Sequence, residues 1–216
     1  MTEQVANEIA ALALTLRIAA CAILLILPFG ILAAYGLSRY RGPGKSLIET
    51  LLALPLVLPP VAIGLILLEL LSRSTSSILF TWKAAVVATA VMSFPLLVRG
   101  ARTAFDSIDP RLADVGRTLG RGPLYVFWHV TLPLAWRGVV GGLLTAFARA
   151  LGEFGATIVV AGSIPGETRT LSLAIFQHIE AGRDAAAMRL VGWSLACAFL
   201  CLWFTERLLL RSKRGR

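Results

Sequence analysis

Apolar residues in this chain come as long unbroken runs, with neither strand alternation nor a one-sided helical stripe. Five runs stand out, at about 12–36, 47–71, 79–98, 138–161 and 190–210. A helix that crosses the hydrocarbon core needs roughly 20 mostly apolar residues. Each run therefore predicts a membrane-spanning helix. The expected fold is an all-α integral membrane protein of about five transmembrane helices, built as a single domain over 1–216. Pro55, Pro59 and Pro60 fall inside the second run and Pro95 inside the third. Proline removes a backbone donor and bends a helix, so these spans should be kinked, either for packing or to line a route. Gly138 and Gly142 open the fourth run as a G-x-x-x-G and predict close helix packing.

Composition agrees. The chain is 57% hydrophobic and 15% charged, against about 45–50% and 25% for soluble domains. The net charge of +9 does not point to nucleic acid, because the basic residues are split between apolar runs rather than gathered on one soluble face. Fourteen of the 21 basic residues fall on one side of the membrane if the links alternate: Arg39, Arg41 and Lys45; Arg99, Arg102, Arg111, Arg117, Arg121 and Arg137; and a tail from Arg207 to Arg216. The positive-inside rule makes that side cytoplasmic. The N-terminus should then lie outside and the C-terminus inside. The N-terminus carries Glu3 and Glu8 and no basic segment, so the first run is expected to be a retained span rather than a cleaved signal.

The longest link, about 99–137, is the chemical anomaly of the chain. Asp109-Pro110 is a helix start, with a capping carboxylate and a proline suited to the first turn. Leu112, Val115 and Leu119 form a narrow apolar stripe. Gly120 and Gly122 stop the helix and Pro123 begins another. The result is helix, glycine turn, helix at the cytoplasmic surface. Such an element is either an interfacial helix resting on lipid or a docking surface for a soluble partner. An amphipathic anchor usually shows a wide apolar face, and this narrow stripe with its glycine-rich turn favours a shaped contact with a protein.

This stretch resembles the cytoplasmic EAA loop of ABC importer permeases, patterned as E-A-A, three residues, G, nine residues, I-x-L-P. The matching positions are Asp114-Val115-Gly116, Gly120 and Val130-Thr131-Leu132-Pro133. Asp replaces Glu, Val-Gly replaces Ala-Ala and Val replaces Ile. Gly116 should weaken the first helix by roughly 1 kcal/mol against Ala. With "LPLVLPPVAIG" (54–64), "SFPLLVRGAR" (93–102) and "FARALGEFGATIVVAGSIPGETRTLSLAI" (147–175), the chain is similar over most of its length to permeases of molybdate importers. Tungstate and sulfate permeases share part of the pattern, and Ser163 stands where Asn is common. The resemblance implies a type I ABC importer permease in the inner (plasma) membrane, used as a homodimer embedded in lipid. Two cytoplasmic ATP-binding subunits would dock on Asp114, Val115, Gly116, Leu119, Gly120, Val130, Leu132 and Pro133. An external or periplasmic binding protein would deliver the anion. The chain would be a transport subunit without catalytic residues, metal or cofactor of its own, and with no nucleic-acid partner. ATP and Mg would sit on the partner subunit.

Arg149 and Glu153 lie near the middle of the fourth run, four apart and hence on one face of its helix. Ionisable residues in a span usually face a bundle interior or a cavity. The pair either pins helices or edges the translocation path. Ser93, Pro95 and Thr157 are further candidates for a path or gate, where transport needs contacts that let go; packing is the plainer role. Arg169 attracts anions, docks the binding protein or is ordinary solvated charge. "RYRGPGKS" (39–46) imitates the end of a phosphate-binding loop, but Arg39 stands where glycine is needed. His129 and His178 are isolated, and Cys21, Cys197 and Cys201 read as small hydrophobes. Two readings of another class stay open at this stage. One is an intramembrane hydrolase centred on Arg149 and Glu153, and the other is a passive anion channel.

Overall fold

The computed structural model describes residues 2–73 and 78–213, and every regular element among them is helical. The elements are α1 (Thr2–Arg39), α2 (Lys45–Val57), α3 (Pro60–Ser72), α4 (Trp82–Asp106), α5 (Pro110–Thr118), α6 (Pro123–Val126), a π-turn (Phe127–Thr131), α7 (Leu132–Leu151), α8 (Gly155–Ala161), α9 (Leu171–Glu180) and α10 (Asp184–Lys213). Four continuous helical stretches are long and apolar enough to span a membrane, and a bent pair supplies a fifth. Arg214 and Arg216 of the basic tail lie outside the described residues.

Helix α4 is the central post, packed between α1 and α7. Its composition explains its place. Ala84, Ala85, Ala88, Ala90 and Ala101 are all buried, and short side chains let neighbouring backbones close in. The contact with α7 is closest at glycines. A Cβ on Gly100 would come 2.5 Å from Gly142 Cα, and one on Gly138 would come 2.5 Å from Ala104 Cβ. The packing predicted for Gly138 and Gly142 is thus against the far half of α4. By contrast α10 presents Met188, Trp193, Leu195, Phe199 and Trp203 outward, as a lipid-facing helix does.

Two spans differ from the sequence expectation. The second run is broken, because α2 and α3 meet at 104° across Leu58-Pro59. Pro59 and Pro60 cannot donate to the preceding turn, so the helix stops and restarts instead of merely bending. The fourth run is not one helix over 138–161. It begins as far back as Pro123, ends at Leu151, and restarts at Gly155 as α8. Glu153 therefore lies in a break, not in mid-helix.

At the end of the bundle remote from α5, long-range polar contacts hold the helices together. The Thr15 hydroxyl donates to Ala11 O and accepts from Leu171 N, both at 2.8 Å, which joins α1 to the start of α9. Glu8 pairs with Arg189 of α10 at 2.7 Å. His178 on α9 is held below its ordinary pKa by partial burial first and by the Arg183 charge second, with Glu8 pulling the other way.

Candidate functional site: the α5 turn and the facing helix breaks

Helix α5 starts where local chemistry dictates. The Asp109 side chain accepts from Arg111 N at 2.9 Å and Pro110 occupies the first turn. It ends at Gly120, whose φ of +74° suits glycine and strains other residues. Gly120 N donates to Arg117 O at 2.9 Å and Arg121 N to Gly116 O at 3.2 Å. Ala113 is the one buried residue of α5. The apolar stripe turns away from the protein, with Leu112, Val115 and Leu119 exposed by 46%, 57% and 74%. Asp114 is also exposed and sits 3.5 Å from Arg117.

Gly116 behaves differently from its neighbours. A Cβ there would come 2.8 Å from Val126 Cγ2. Its role is close approach: α5 rests on the end of α6 through this point. The propensity lost at Gly116 is the condition of that contact, a role that the reading of Gly116 as a simple weakness missed.

Val130, Leu132 and Pro133 do not join the exposed turn. They lie in the continuous run Pro123–Leu151. Val130 and Leu132 are half-buried, and Leu132 packs against a cluster containing Leu37, Val98, Phe105 and Phe127. Pro133 lacks a donor, and the turn before it widens to a π-turn in which Leu132 N donates to Phe127 O. His129 Nδ1 lies 3.1 Å from Tyr125 O. Helix α6, the π-turn and α7 thus form one rod from the α5 contact to the α7–α8 break. Arg102 braces the same end from α4, meeting Glu49 of α2 at 2.8 Å and Asp106 at 3.3 Å. The Arg102–Asp106 spacing was visible in sequence as an i,i+4 pair; the reach to Glu49 had no local signal.

At the other end of the rod the two broken spans face each other. Gly155 lies against Pro60 and Val61, where an added Cβ would meet Pro60 Cβ at 2.7 Å. Gly64 lies against Ala156, where an added Cβ would come 3.0 Å from Ala156 Cα. A cavity of about 540 Å³ opens beside this junction, lined by Pro60, Val61, Ala148, Arg149, Gly152, Glu153, Phe154 and Gly155. The Arg149 guanidinium sits 2.8 Å from Glu153 Oε2, with side chains 30% and 1% exposed. Glu153 Oε1 accepts from Ala156 N at 3.0 Å, so the carboxylate also ends an orphan amide of α8. One buried carboxylate is thereby shared between a cation and a helix start. Ser93 and Pro95 within α4, and Thr157 within α8, are buried but do not line this cavity. Among the described residues, the hydroxyls of Ser93 and Thr157 have no hydrogen-bond partner.

Comparison with known proteins agrees with this architecture. The family described as binding-protein-dependent transport system inner membrane component matches residues 26–210. The molybdenum transport system permease protein ModB of Escherichia coli K12 is 43% identical over 220 residues, covering 95% of this chain and 96% of that protein. The sulfate transport system permease protein CysT of Salmonella typhimurium is 34% identical, covering 87% and 71%. Among solved structures, an amino acid ABC transporter superposes with a TM-score of 0.69 at 20% identity, over 99% of this chain and 96% of that one; at that identity the likeness shows the fold. The chain belongs to the family of binding-protein-dependent transport system inner membrane components.

Proposed function

We propose that this chain is the membrane-spanning subunit of an ATP-driven importer for molybdate, working as a homodimer. Two ATP-binding subunits dock on α5, and they rather than this chain hold ATP and Mg. A binding protein delivers the anion at the opposite face. The N-terminus lies outside and the C-terminus in the cytoplasm, which puts α5 on the basic, cytoplasmic side. The observation that carries this reading is the bare stripe of Leu112, Val115 and Leu119 on a capped helix outside the bundle. A passive channel has no use for such a surface.

The packing supplies a route from α5 to the path. Closure of the ATP-binding subunits displaces α5, Gly116 passes that displacement to Val126, and the rod through α7 carries it to the Arg149–Glu153 break. The break is where two interrupted spans meet, so a small shift there opens or closes a way between them. Arg149 attracts an oxyanion, and Glu153 already holds that cation, so the contact stays weak enough to release. Ser93, Pro95 and Thr157 act as packing at this level of the bundle. Transport arises from differential binding of two states coupled through one loop.

The molybdate assignment rests on the higher identity to the molybdenum permease than to the sulfate permease. Labelled molybdate uptake at trace concentration, in cells lacking this chain and with it restored, tests the assignment. Restored uptake that is blocked by tungstate and not by excess sulfate is expected. Equal competition by sulfate moves the cargo to sulfate, the second reading that the CysT identity favours, and leaves the importer class standing.

A further inference from the structure

The end of the bundle remote from α5 holds a second cavity, of about 380 Å³, that the transport reading does not use. Arg17 of α1 and Trp82 and Lys83 from the first turn of α4 line it, with Glu167 from the loop before α9. Leu14 and Ile78 add apolar wall. The Arg17 guanidinium lies 4.2 Å from the centre of the Trp82 ring, which fixes its position. Two cations and one carboxylate thus surround one space, and among the described residues no ion pair joins them.

The depth of this cavity is set by helix length. At 1.5 Å per residue, Arg17 stands roughly 33 Å along α1 from Arg39. By the same rise, Lys83 stands roughly 28 Å along α4 from Arg102. Both spacings match the hydrocarbon thickness of about 30 Å. Arg17 and Lys83 therefore lie at the boundary between acyl chains and headgroups, in the leaflet away from α5. Trp82 takes the place that an interfacial aromatic prefers.

We infer that the Arg17–Trp82–Lys83–Glu167 cavity binds the headgroup of an aminophospholipid from that leaflet. The phosphate sits against Arg17 and Lys83, and the primary ammonium donates toward Glu167. Leu14 and Ile78 add apolar wall beside the headgroup. Charges of both signs around one space, joined by no ion pair among the described residues, fit a ligand that carries both signs; a simple anion would leave Glu167 opposed to it. A primary ammonium offers three donors to a carboxylate, whereas a choline headgroup offers none.

The test uses the full-length chain purified in detergent and titrated with dioleoyl phosphatidylethanolamine, phosphatidylglycerol or phosphatidylcholine, with bound lipid counted by native mass spectrometry. Phosphatidylethanolamine should bind about fivefold or more tightly than the other two, the scale of a single charged contact near a membrane surface. Combined Arg17→Gln and Lys83→Gln should remove the bound lipid. Glu167→Gln, on an exposed loop, should fold normally and erase the preference for ethanolamine over glycerol. Equal occupancy by all three lipids, or an unchanged preference in Glu167→Gln, overturns the proposal. Displacement of the lipid by millimolar inorganic phosphate also overturns it, because the cavity is then a site for soluble anions.

Discussion

Two ion pairs in this protein share the same spacing and nearly the same length, and their surroundings make them different objects. Glu69 and Arg73 lie four apart at the end of α3, at 2.7 Å, with side chains 65% and 75% exposed. Arg149 and Glu153 lie four apart across the α7–α8 break, at 2.8 Å, with Glu153 almost fully enclosed. Exposed pairs contribute little, because water and salt already serve both charges. For an enclosed pair the Coulomb gain and the desolvation cost are both large, so the pair itself is close to neutral while the loss of one member is not. Four-residue spacing sets whether two charges can meet. What encloses them sets what the meeting is worth.

The comparison breaks most visibly at Arg149. Arg149→Ala leaves the Glu153 carboxylate enclosed with only the Ala156 amide, and should cost about 3 kcal/mol or more. Recovery of folded protein and the midpoint of unfolding in mixed micelles would both fall. A midpoint within error of the parent would show that Glu153 takes on another partner or a proton without penalty.

The next largest effect separates function from stability. Gly120→Glu places a bulky charge on the exposed turn, where a Cβ meets no atom within 4 Å. Its positive φ costs a non-glycine residue about 1–2 kcal/mol, so the unfolding midpoint should fall by no more than that while insertion is retained. ATPase activity stimulated through the assembled complex should disappear. Normal stimulation in this variant would remove α5 as the docking surface, whatever the fate of the buried pair.

Glu153→Gln sharpens the asymmetry within the pair. Glutamine keeps an oxygen for the Ala156 amide and frees Arg149, which is partly exposed toward the cavity. The loss should be about 1 kcal/mol, the scale of one hydrogen-bond adjustment. Measured beside Arg149→Ala in the same micelles, equal or reversed losses would mean that the cation, not the carboxylate, is the costly partner.

How much of this could be read in advance depends on how local the cause is. The spans were legible because lipid allows only helices or closed barrels across it, and length and apolarity identify the helices. Helix α5 was legible because Asp109, Pro110 and Gly120 act on their own turn. The break after Leu151 was hidden, since "GEFG" sits inside an apolar run and is opened by packing of Gly155 on Pro60 and of Gly64 on Ala156. Gly116 was legible as an oddity, but its partner Val126 lies across a turn. The Thr15 contact with Leu171 joins residues 156 apart, and no window on the sequence contains both. The four-residue spacing of Arg149 and Glu153 was correct as a pair and misleading as a helix face.

The smallest effect is the control that gives the comparison meaning. Arg73→Ala removes the exposed pair, and Glu69 then returns to water or to lipid headgroups without any enclosed charge left behind. The unfolding midpoint should shift by about 0.5 kcal/mol or less, and raising the salt should shrink even that difference. Read in the same micelles, Arg73→Ala and Arg149→Ala delete the same side chain from pairs of the same spacing. If Arg73→Ala costs as much as Arg149→Ala, enclosure is not what distinguishes the two pairs, and the end of α3 must be covered in the assembled protein, by lipid or by a second subunit.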